Sequence, residues 1–176
     1  MSTTRTLFFS LWPDLRQRDK LRDVIAPAVR LIDGRAVARD NWHLTLLYIG
    51  DFPEVAIPGL LQQAEAMQVD PFKLRFDKVE FWPRPRVACL VPASVPTELA
   101  RLNQQLKNLL NDAGFLMEEQ RFRPHVTVCR NARPFETQRL AQPLTMEWSR
   151  FELLESTRVR GETRYVPAKQ ALSSLS

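Results

Sequence analysis

Both histidines of this chain lie in the same short pattern. The first begins the segment HLTL at 43–46 and the second begins HVTV at 125–128, so each is followed two positions later by a threonine. With 10 threonines in 176 residues, chance would place threonine there after both histidines with a frequency of only about 0.003. The pair is therefore a specific signal, although either copy alone would carry little weight.

This spacing has a simple meaning if both segments are β-strands. Successive side chains of a strand point to opposite faces, so His43 and Thr45 share one face, and His125 and Thr127 do the same on the other strand. The aliphatic residues between them point the other way, where they can join a core. We expect the two strands to present both imidazoles to one polar cleft.

Two imidazoles across a cleft suit phosphodiester cleavage. The attacking and leaving oxygens lie on opposite sides of phosphorus, so one group must accept a proton while the other donates one. Histidine, with a pKa of ~6.5, reaches both states near neutral pH. The hydroxyls of Thr45 and Thr127 can donate to phosphate oxygens, and Arg130 is the nearest cation. On a regular strand Arg130 points away from the His125 face, so its contact requires a bend or bulge.

The same residues fit a structural role or a metal site less well. A lone histidine in a strand is usually structural, but the duplication favours catalysis. A metal site needs three or four ligands, and neither histidine has Asp, Glu or Cys nearby at ligand spacing, so we expect no metal and no other cofactor.

Cys89 and Cys129 lie in apolar surroundings far apart in sequence and are predicted to be buried free thiols of a reducing compartment.

The elements that must carry these residues follow a repeated order. Segments 7–50 and 88–130 each read as strand, helix, loop and strand, and each ends in a histidine motif, which predicts a duplicated unit. Helices are predicted after Asp14 and from Pro96, where apolar residues recur at helical spacing. The remaining predictions are a short helix at 57–67, strands at 72–81, 144–154 and 165–172, and a polar connection at 155–163.

Length and composition fit a globular protein. The chain is 44% hydrophobic and 26% charged, and no stretch approaches the ~18 uncharged apolar residues that span a bilayer. Its beginning does not resemble a secretion signal, so we expect a cytoplasmic protein that does not bind membranes. The net charge of +5 arises within residues 121–176, which carry 10 basic and 5 acidic side chains. Such a localised positive field suits a phosphate-bearing substrate.

The motifs resemble those of the two-histidine (2H) phosphoesterases, and among these the bacterial RNA 2',3'-cyclic phosphodiesterases, also called 2'-5' RNA ligases. The resemblance covers nearly the whole chain. Its segments are RTLFF at 5–9, NWHLTL at 41–46 with Gly50, FRPHVTV at 122–128 with Arg130, and RYVP at 164–167. The chain departs from the family pattern at Tyr48-Ile49, at Val128-Cys129 and after Pro167, which spares the catalytic atoms and affects only substrate fit.

The resemblance implies a bilobal α+β fold over residues 1–176, a single domain in which two antiparallel sheets face a central cleft and helices lie outside. It implies that His43 donates a proton to the leaving oxygen, that His125 activates water, and that Thr45 and Thr127 contact the phosphate. The implied reaction is hydrolysis of a terminal RNA 2',3'-cyclic phosphate to a 2'-phosphomonoester, with reverse 2'-5' ligation without ATP. RNA ends such as those of tRNA halves are the expected partners of a monomeric enzyme.

Recognition of the base requires aromatic residues near the cleft, for which Phe9, Trp82 and Tyr165 are the candidates. Two other functions use the same residues. One is a phosphodiesterase acting on small cyclic nucleotides or ADP-ribose cyclic phosphate, and the other is a noncatalytic module that binds RNA ends. Two complete histidine motifs argue against the binding module, whereas the charge does not distinguish between the two enzymes.

Overall fold

A computed structural model describes residues 3–173, which form an α+β fold with a nine-stranded sheet. The strands are β1 (Thr4–Leu11), β2 (Arg35–Ala36), β3 (Leu44–Pro53), β4 (Phe72–Trp82), β5 (Val87–Pro92), β6 (Val126–Arg130), β7 (Gln138–Trp148), β8 (Glu152–Val159) and β9 (Glu162–Pro167). The helices are α1 (Leu15–Val29), α2 (Ile57–Ala66), α3 (Thr97–Asp112) and α4 (Ala168–Ser173). Short 3-10 turns lie at Arg39–Asn41 and Glu54–Ala56.

The paired strands are antiparallel, in the order β7-β4-β5-β6-β3-β1-β8-β9, with β2 beside β6. The bridge between β6 and β3 is the pair Leu44–Val126. This narrow junction divides the sheet into a half of β7, β4, β5 and β6 with β2 beside it, and a half of β3, β1, β8 and β9. These halves are the two antiparallel sheets that the resemblance implies. The α+β fold with antiparallel pairing is thus confirmed, and its two sheets are hydrogen-bonded to each other in the middle.

The duplicated unit is present as β1-α1-β3 and β5-α3-β6. In each copy the two strands are neighbours in the sheet, but the helix between them packs against the other half. Helix α1 contacts β6 and β7, and α3 contacts β3, where the Asn103 side-chain amide donates to the Leu46 carbonyl at 2.7 Å. The two halves have exchanged their helices, and one hydrophobic core runs through both.

Local sequence explains where these helices begin and which face they bury. Helix α1 starts with a capping box, in which the Asp14 carboxylate accepts from the Gln17 amide at 2.7 Å and Gln17 accepts from the Asp14 amide at 3.0 Å. Its buried face carries Leu21, Ile25 and Ala28. Helix α3 buries Leu99, Leu102, Leu106 and Leu110, which is the apolar stripe that the spacing predicts. No helix within residues 3–173 is long and apolar enough to cross a membrane.

The last third of the chain differs from the sequence prediction. The strand expected at 144–154 is two strands, β7 and β8, and the polar stretch at 155–163 belongs to the hairpin of β8 and β9. Its turn places Arg160 and Gly161 at φ of 51° and 84°, which suits a tight two-residue hairpin. The strand expected at 165–172 ends at Pro167, because helix α4 begins at Ala168.

The two cysteines agree with the prediction. Cys89 and Cys129 are both buried free thiols. Burial raises the pKa of the Cys89 thiol to about 12, so this group remains protonated at neutral pH and is a poor nucleophile.

Candidate active site

The two histidines are anchored in the same way. Each lies one residue before its strand, β3 or β6, and turns its Nδ1 back to the carbonyl two residues earlier. The distances are 2.7 Å from His43 Nδ1 to the Asn41 oxygen and 2.8 Å from His125 Nδ1 to the Arg123 oxygen. A backbone carbonyl only accepts hydrogen bonds, so Nδ1 carries the proton and Nε2 keeps its lone pair in the neutral ring. Each imidazole therefore has a fixed orientation and a reactive Nε2.

One cleft of about 500 Å³ brings the motif residues together. His43, Thr45, His125, Thr127 and Arg130 all line it. The alternation of strand residues explains this placement, because the aliphatic neighbours of each threonine are buried in the core on the opposite face. The motif residues therefore bring two imidazoles, two hydroxyls and a guanidinium to the cleft, which are groups suited to acid–base chemistry on a phosphate.

Arg130 reaches the cleft through a β-bulge. Strand β6 pairs Cys129 with Ala88 and Thr127 with Cys89, so Val128 is an extra residue without an opposite partner. Val128 and Cys129 are consequently both buried, and Arg130 moves to the face of Thr127. This is the irregularity that Arg130 needs in order to face the same cleft as His125.

Aromatic rings surround both histidines. The Tyr165 ring lies edge-on to His43 at a centroid distance of 4.7 Å, and the Phe8 ring lies 5.1 Å from it. On the other side, the Trp82 ring lies 4.4 Å from His125, and the Arg123 guanidinium lies 4.1 Å above that ring. Tyr165 and Trp82 thus line the cleft, as expected from the sequence.

The prediction that Phe9 stacks on a base is wrong. Phe9 is fully buried in the core and packs edge-on against Phe151, so a nucleobase cannot reach it. Phe8, its neighbour on the opposite face of β1, lines the cleft instead. The sequence could not separate them because β1 lies between β3 and β8 and is buried on both faces, which removes the usual polar–apolar alternation.

Burial shapes the acid–base properties of the site. The pKa of His43 is lowered to about 4, mainly by burial and also by the nearby His125, Arg130 and Arg18. Burial also lowers the pKa of His125, with additional lowering by Arg123 and Arg130. Both imidazoles are therefore neutral at pH 7 in the free protein. A bound phosphate changes this balance, because a neighbouring negative charge favours the protonated ring.

Arg18 is a site residue that was missed from the sequence. Its buried guanidinium donates from Nη1 to the carbonyls of Arg39 at 2.6 Å and Trp42 at 3.1 Å, and it stacks 4.4 Å above the Trp12 ring. These contacts hold the turn that presents the Asn41 carbonyl to His43. The helical spacing could have identified it, because Arg18 lies on the same buried face of α1 as Leu21, Ile25 and Ala28. An arginine on a buried helix face indicates a specific role.

Metal-binding groups are not gathered in this cleft. Across the part of the chain that the structure describes, no three side chains of His, Cys, Asp and Glu are grouped in a way that could hold a metal ion.

Comparison with known proteins gives a consistent result. A family model described as the 2'-5' RNA ligase superfamily matches residues 13–159. An RNA 2',3'-cyclic phosphodiesterase of Escherichia coli (strain K12) is 30% identical over 174 residues, covering 97% of each chain. A protein of the same name from Bacillus subtilis (strain 168) is 33% identical over 96 residues, covering 51% of each. The crystal structure of E. coli LigT complexed with 3'-AMP matches with a TM-score of 0.83 at 28% identity, over 94% of this chain and 95% of that chain.

Proposed function

The chain belongs to the 2'-5' RNA ligase superfamily, and on that premise we propose that it is an RNA 2',3'-cyclic phosphodiesterase. The observation that carries the proposal is the matched pair of histidines, each anchored through Nδ1 on a backbone carbonyl, in one cleft. Relatives named for RNA favour this substrate over small cyclic nucleotides and ADP-ribose cyclic phosphate. Two complete histidine motifs disfavour a noncatalytic module.

The reaction opens the cyclic phosphate at the end of an RNA strand. A water molecule attacks phosphorus while the bond from phosphorus to the 3' oxygen breaks, with the two oxygens on opposite sides. His125 takes the proton of the attacking water, and His43 gives a proton to the departing 3' oxygen. The product carries its phosphate on the 2' oxygen. Proton exchange with solvent then restores both imidazoles.

The substrate itself supplies the protonation state that His43 needs. Burial alone favours a neutral His43, but an acid must carry a proton. The cyclic phosphodiester has a negative charge, which raises the pKa of an adjacent imidazole. His125 lies beside Arg123 and Arg130, whose positive charges favour its neutral, proton-accepting form. Positive charges lie beside both imidazoles, so we assign His43 as acid and His125 as base from the resemblance of the two motifs to those of the family.

The remaining cleft residues bind the substrate. We assign the hydroxyls of Thr45 and Thr127 to the nonbridging phosphate oxygens, because each shares a strand face with a histidine. Arg130 compensates the charge that develops on those oxygens. Tyr165 and Trp82 offer rings on which a base can stack without sequence preference.

The same groups can also catalyse 2'-5' ligation, which is the reverse of cleaving a 2'-5' linkage. When the 5' hydroxyl of a second RNA replaces water as the nucleophile, attack on phosphorus gives a 2'-5' linkage without ATP. We include the ends of tRNA halves among the substrates.

We assign the enzyme to the cytoplasm, because buried free thiols suit a reducing compartment. We also propose that it acts as a monomer and that residues 1–176 form one functional domain, because one chain supplies every group of the cleft.

A short synthetic RNA ending in a 2',3'-cyclic phosphate tests this function. Incubation with the purified protein should add one water to the RNA, seen by mass spectrometry, and phosphorus NMR should identify a 2'-phosphomonoester. A strand ending in a 3'-phosphate is the matched control and should remain unchanged. A 3'-phosphomonoester product would contradict the assigned bond cleavage, and an intact cyclic phosphate would contradict the function.

A further inference from the structure

Two arginines face each other beside the cleft. Arg35 on β2 is the cross-strand partner of Arg130 on β6. Directly opposite residues of an antiparallel pair have Cβ atoms about 5 Å apart and project to the same face. Like charges in this position repel each other and destabilise the pair. Such an arrangement is favourable when an anion lies between the two guanidiniums.

A glycine keeps the two strands this close. A Cβ atom at Gly34 would lie 2.6 Å from Cys129 Sγ, 3.0 Å from Ala132 Cα and 3.1 Å from the Arg130 carbonyl oxygen. Two of these three contacts are with backbone, which cannot move aside cheaply. The backbone of β2 therefore approaches β6 only because residue 34 has no side chain, and this approach is what brings Arg35 beside Arg130.

The two guanidiniums line a groove that opens into the cleft. It has a volume of about 600 Å³, and Arg158 of β8 lines it from the other half of the sheet. In the part of the chain that the structure describes, none of these three arginines has an ion pair with a carboxylate, in contrast to Arg5 and Arg39. Glu162 is the acidic residue of the groove within residues 3–173. The groove thus has three cations and one anion among its described residues.

The groove lies on the His43 side of the cleft, where the terminal ribose of the substrate lies. Its lining includes His43, Thr127 and Tyr165 but not His125. The 3' oxygen that His43 protonates stays on the terminal ribose, so this ribose lies on the His43 side and the water lies on the His125 side. The next phosphate of the RNA is bonded to the 5' oxygen of the same ribose. It therefore extends on the side where the arginines lie.

We propose that Arg35 and Arg158, together with Arg130, form a second phosphate subsite that binds the 5' phosphate of the terminal nucleotide. This inference rests on the proposed function. It makes the preferred substrate an oligonucleotide or a 5'-phosphorylated nucleotide, since a nucleoside 2',3'-cyclic phosphate with a free 5' hydroxyl leaves the subsite empty. Guanidiniums suit this role because their planar donors bind phosphate oxygens in pairs.

Binding of two product-like nucleotides tests the subsite without turnover. Adenosine 2'-monophosphate and adenosine 2',5'-bisphosphate carry the phosphate of the product and differ only in the 5' phosphate. By isothermal titration calorimetry at low salt, the unmodified protein should bind the bisphosphate about tenfold more tightly. Arg35→Gln and Arg158→Gln should each reduce this ratio at least threefold. Arg16→Gln, which removes the same charge from an exposed position on α1, should leave the ratio unchanged.

The outcomes separate this inference from the proposed function. A ratio near one in the unmodified protein, or an unchanged ratio in both variants, would overturn the subsite even if the cyclic phosphate were hydrolysed. Failure to hydrolyse any cyclic phosphate would contradict the function while the binding ratio still reports on the subsite. Folding is checked by thermal unfolding, in which Arg35→Gln should be at least as stable as the unmodified protein because it removes the repulsion of Arg130.

Discussion

Leu44 of β3 pairs with Val126 of β6 at the centre of the sheet. In an antiparallel pair the register extends on both sides, so the position opposite His43 is that of Thr127, and the position opposite Thr45 is that of His125. Each histidine therefore has the threonine of the other motif as its cross-strand neighbour. The pseudo-twofold axis passes between Leu44 and Val126, and a phosphorus atom near this axis meets the same groups from either side.

Loss of either imidazole should greatly reduce turnover. His43→Ala and His125→Ala should each lower kcat on a cyclic-phosphate RNA end by ~10²–10⁴-fold, because each removes one proton-transfer group. The measurement is single-turnover hydrolysis, with circular dichroism to check folding. A near-normal rate for either variant would contradict the paired mechanism.

A sulfur leaving group should distinguish the acid from the base. If the 3' oxygen of the cyclic phosphate is replaced by sulfur, the departing thiolate needs no proton, so His43→Ala should recover most of its lost rate on this substrate. His125→Ala should remain slow because water still needs a base. Recovery by His125→Ala instead would reverse the two assignments.

Binding of a phosphate ligand should take up a proton. Because burial lowers the pKa of His43 to about 4, this group enters the complex neutral at pH 7 and gains a proton beside the anion. Calorimetry with 3'-AMP in buffers of different ionisation enthalpy should reveal net uptake at pH 7. Uptake should be smaller in His43→Ala, and equal uptake in this variant would assign the proton to another group.

Stability should fall at mildly acidic pH. The pKa of His43 is lower in the folded protein than its ordinary value of 6.5, so the unfolded chain binds more protons between these values. The free energy of unfolding is therefore largest above pH 6.5 and decreases towards pH 4, by roughly 3 kcal/mol for this group. Urea unfolding across this range measures the decrease, which should be smaller in His43→Ala.

Arg18 is predicted to position His43 without touching the substrate. Arg18→Met keeps much of the side-chain volume but releases the carbonyls of Arg39 and Trp42, so kcat should fall by up to about 10²-fold while KM changes little. An NMR titration should also find a higher pKa for His43, because a nearby positive charge is lost. Unchanged kcat and an unchanged His43 titration would make Arg18 purely structural.

The planar geometry of Arg130 is predicted to matter as well as its charge. Arg130→Lys keeps the charge but loses the paired donors, so it should be markedly impaired if the phosphate contact is bidentate. Arg130→Ala should lower kcat/KM by about 10- to 100-fold. If Arg130→Ala leaves both kcat and KM unchanged at low salt, this residue is a solvated charge and has no role in the reaction.

The sequence predicts the chemistry of the cleft better than the elements behind it. His43, Thr45, His125 and Thr127 could be recognised because strand geometry turns a two-residue spacing into a shared face. The duplicated unit could be recognised because each copy repeats the order of its elements. Both features are local, so they depend only on neighbouring residues.

The errors arise where distant strands decide the outcome. Phe8 and Phe9 are the same residue type in one apolar run, so the sequence does not distinguish them. The strands on either side of β1 determine which ring faces the cleft. Segment 155–163 is polar because Ser156, Arg158 and Thr163 line the groove, not because it is a connection. A solvent-exposed strand face and a loop are both rich in polar residues, so the sequence alone does not distinguish them.

The exchange of helices between the two halves has a consequence for motion. A hinge between the halves would pull α1 away from β6 and β7 and α3 away from β3, which would expose the shared core. We therefore expect the halves to move as one rigid body, with the distance between the imidazoles set by folding rather than by ligand-driven closure. Small-angle X-ray scattering should then give the same radius of gyration with and without 3'-AMP. RNA ends would then enter and leave a cleft that is already open before they bind.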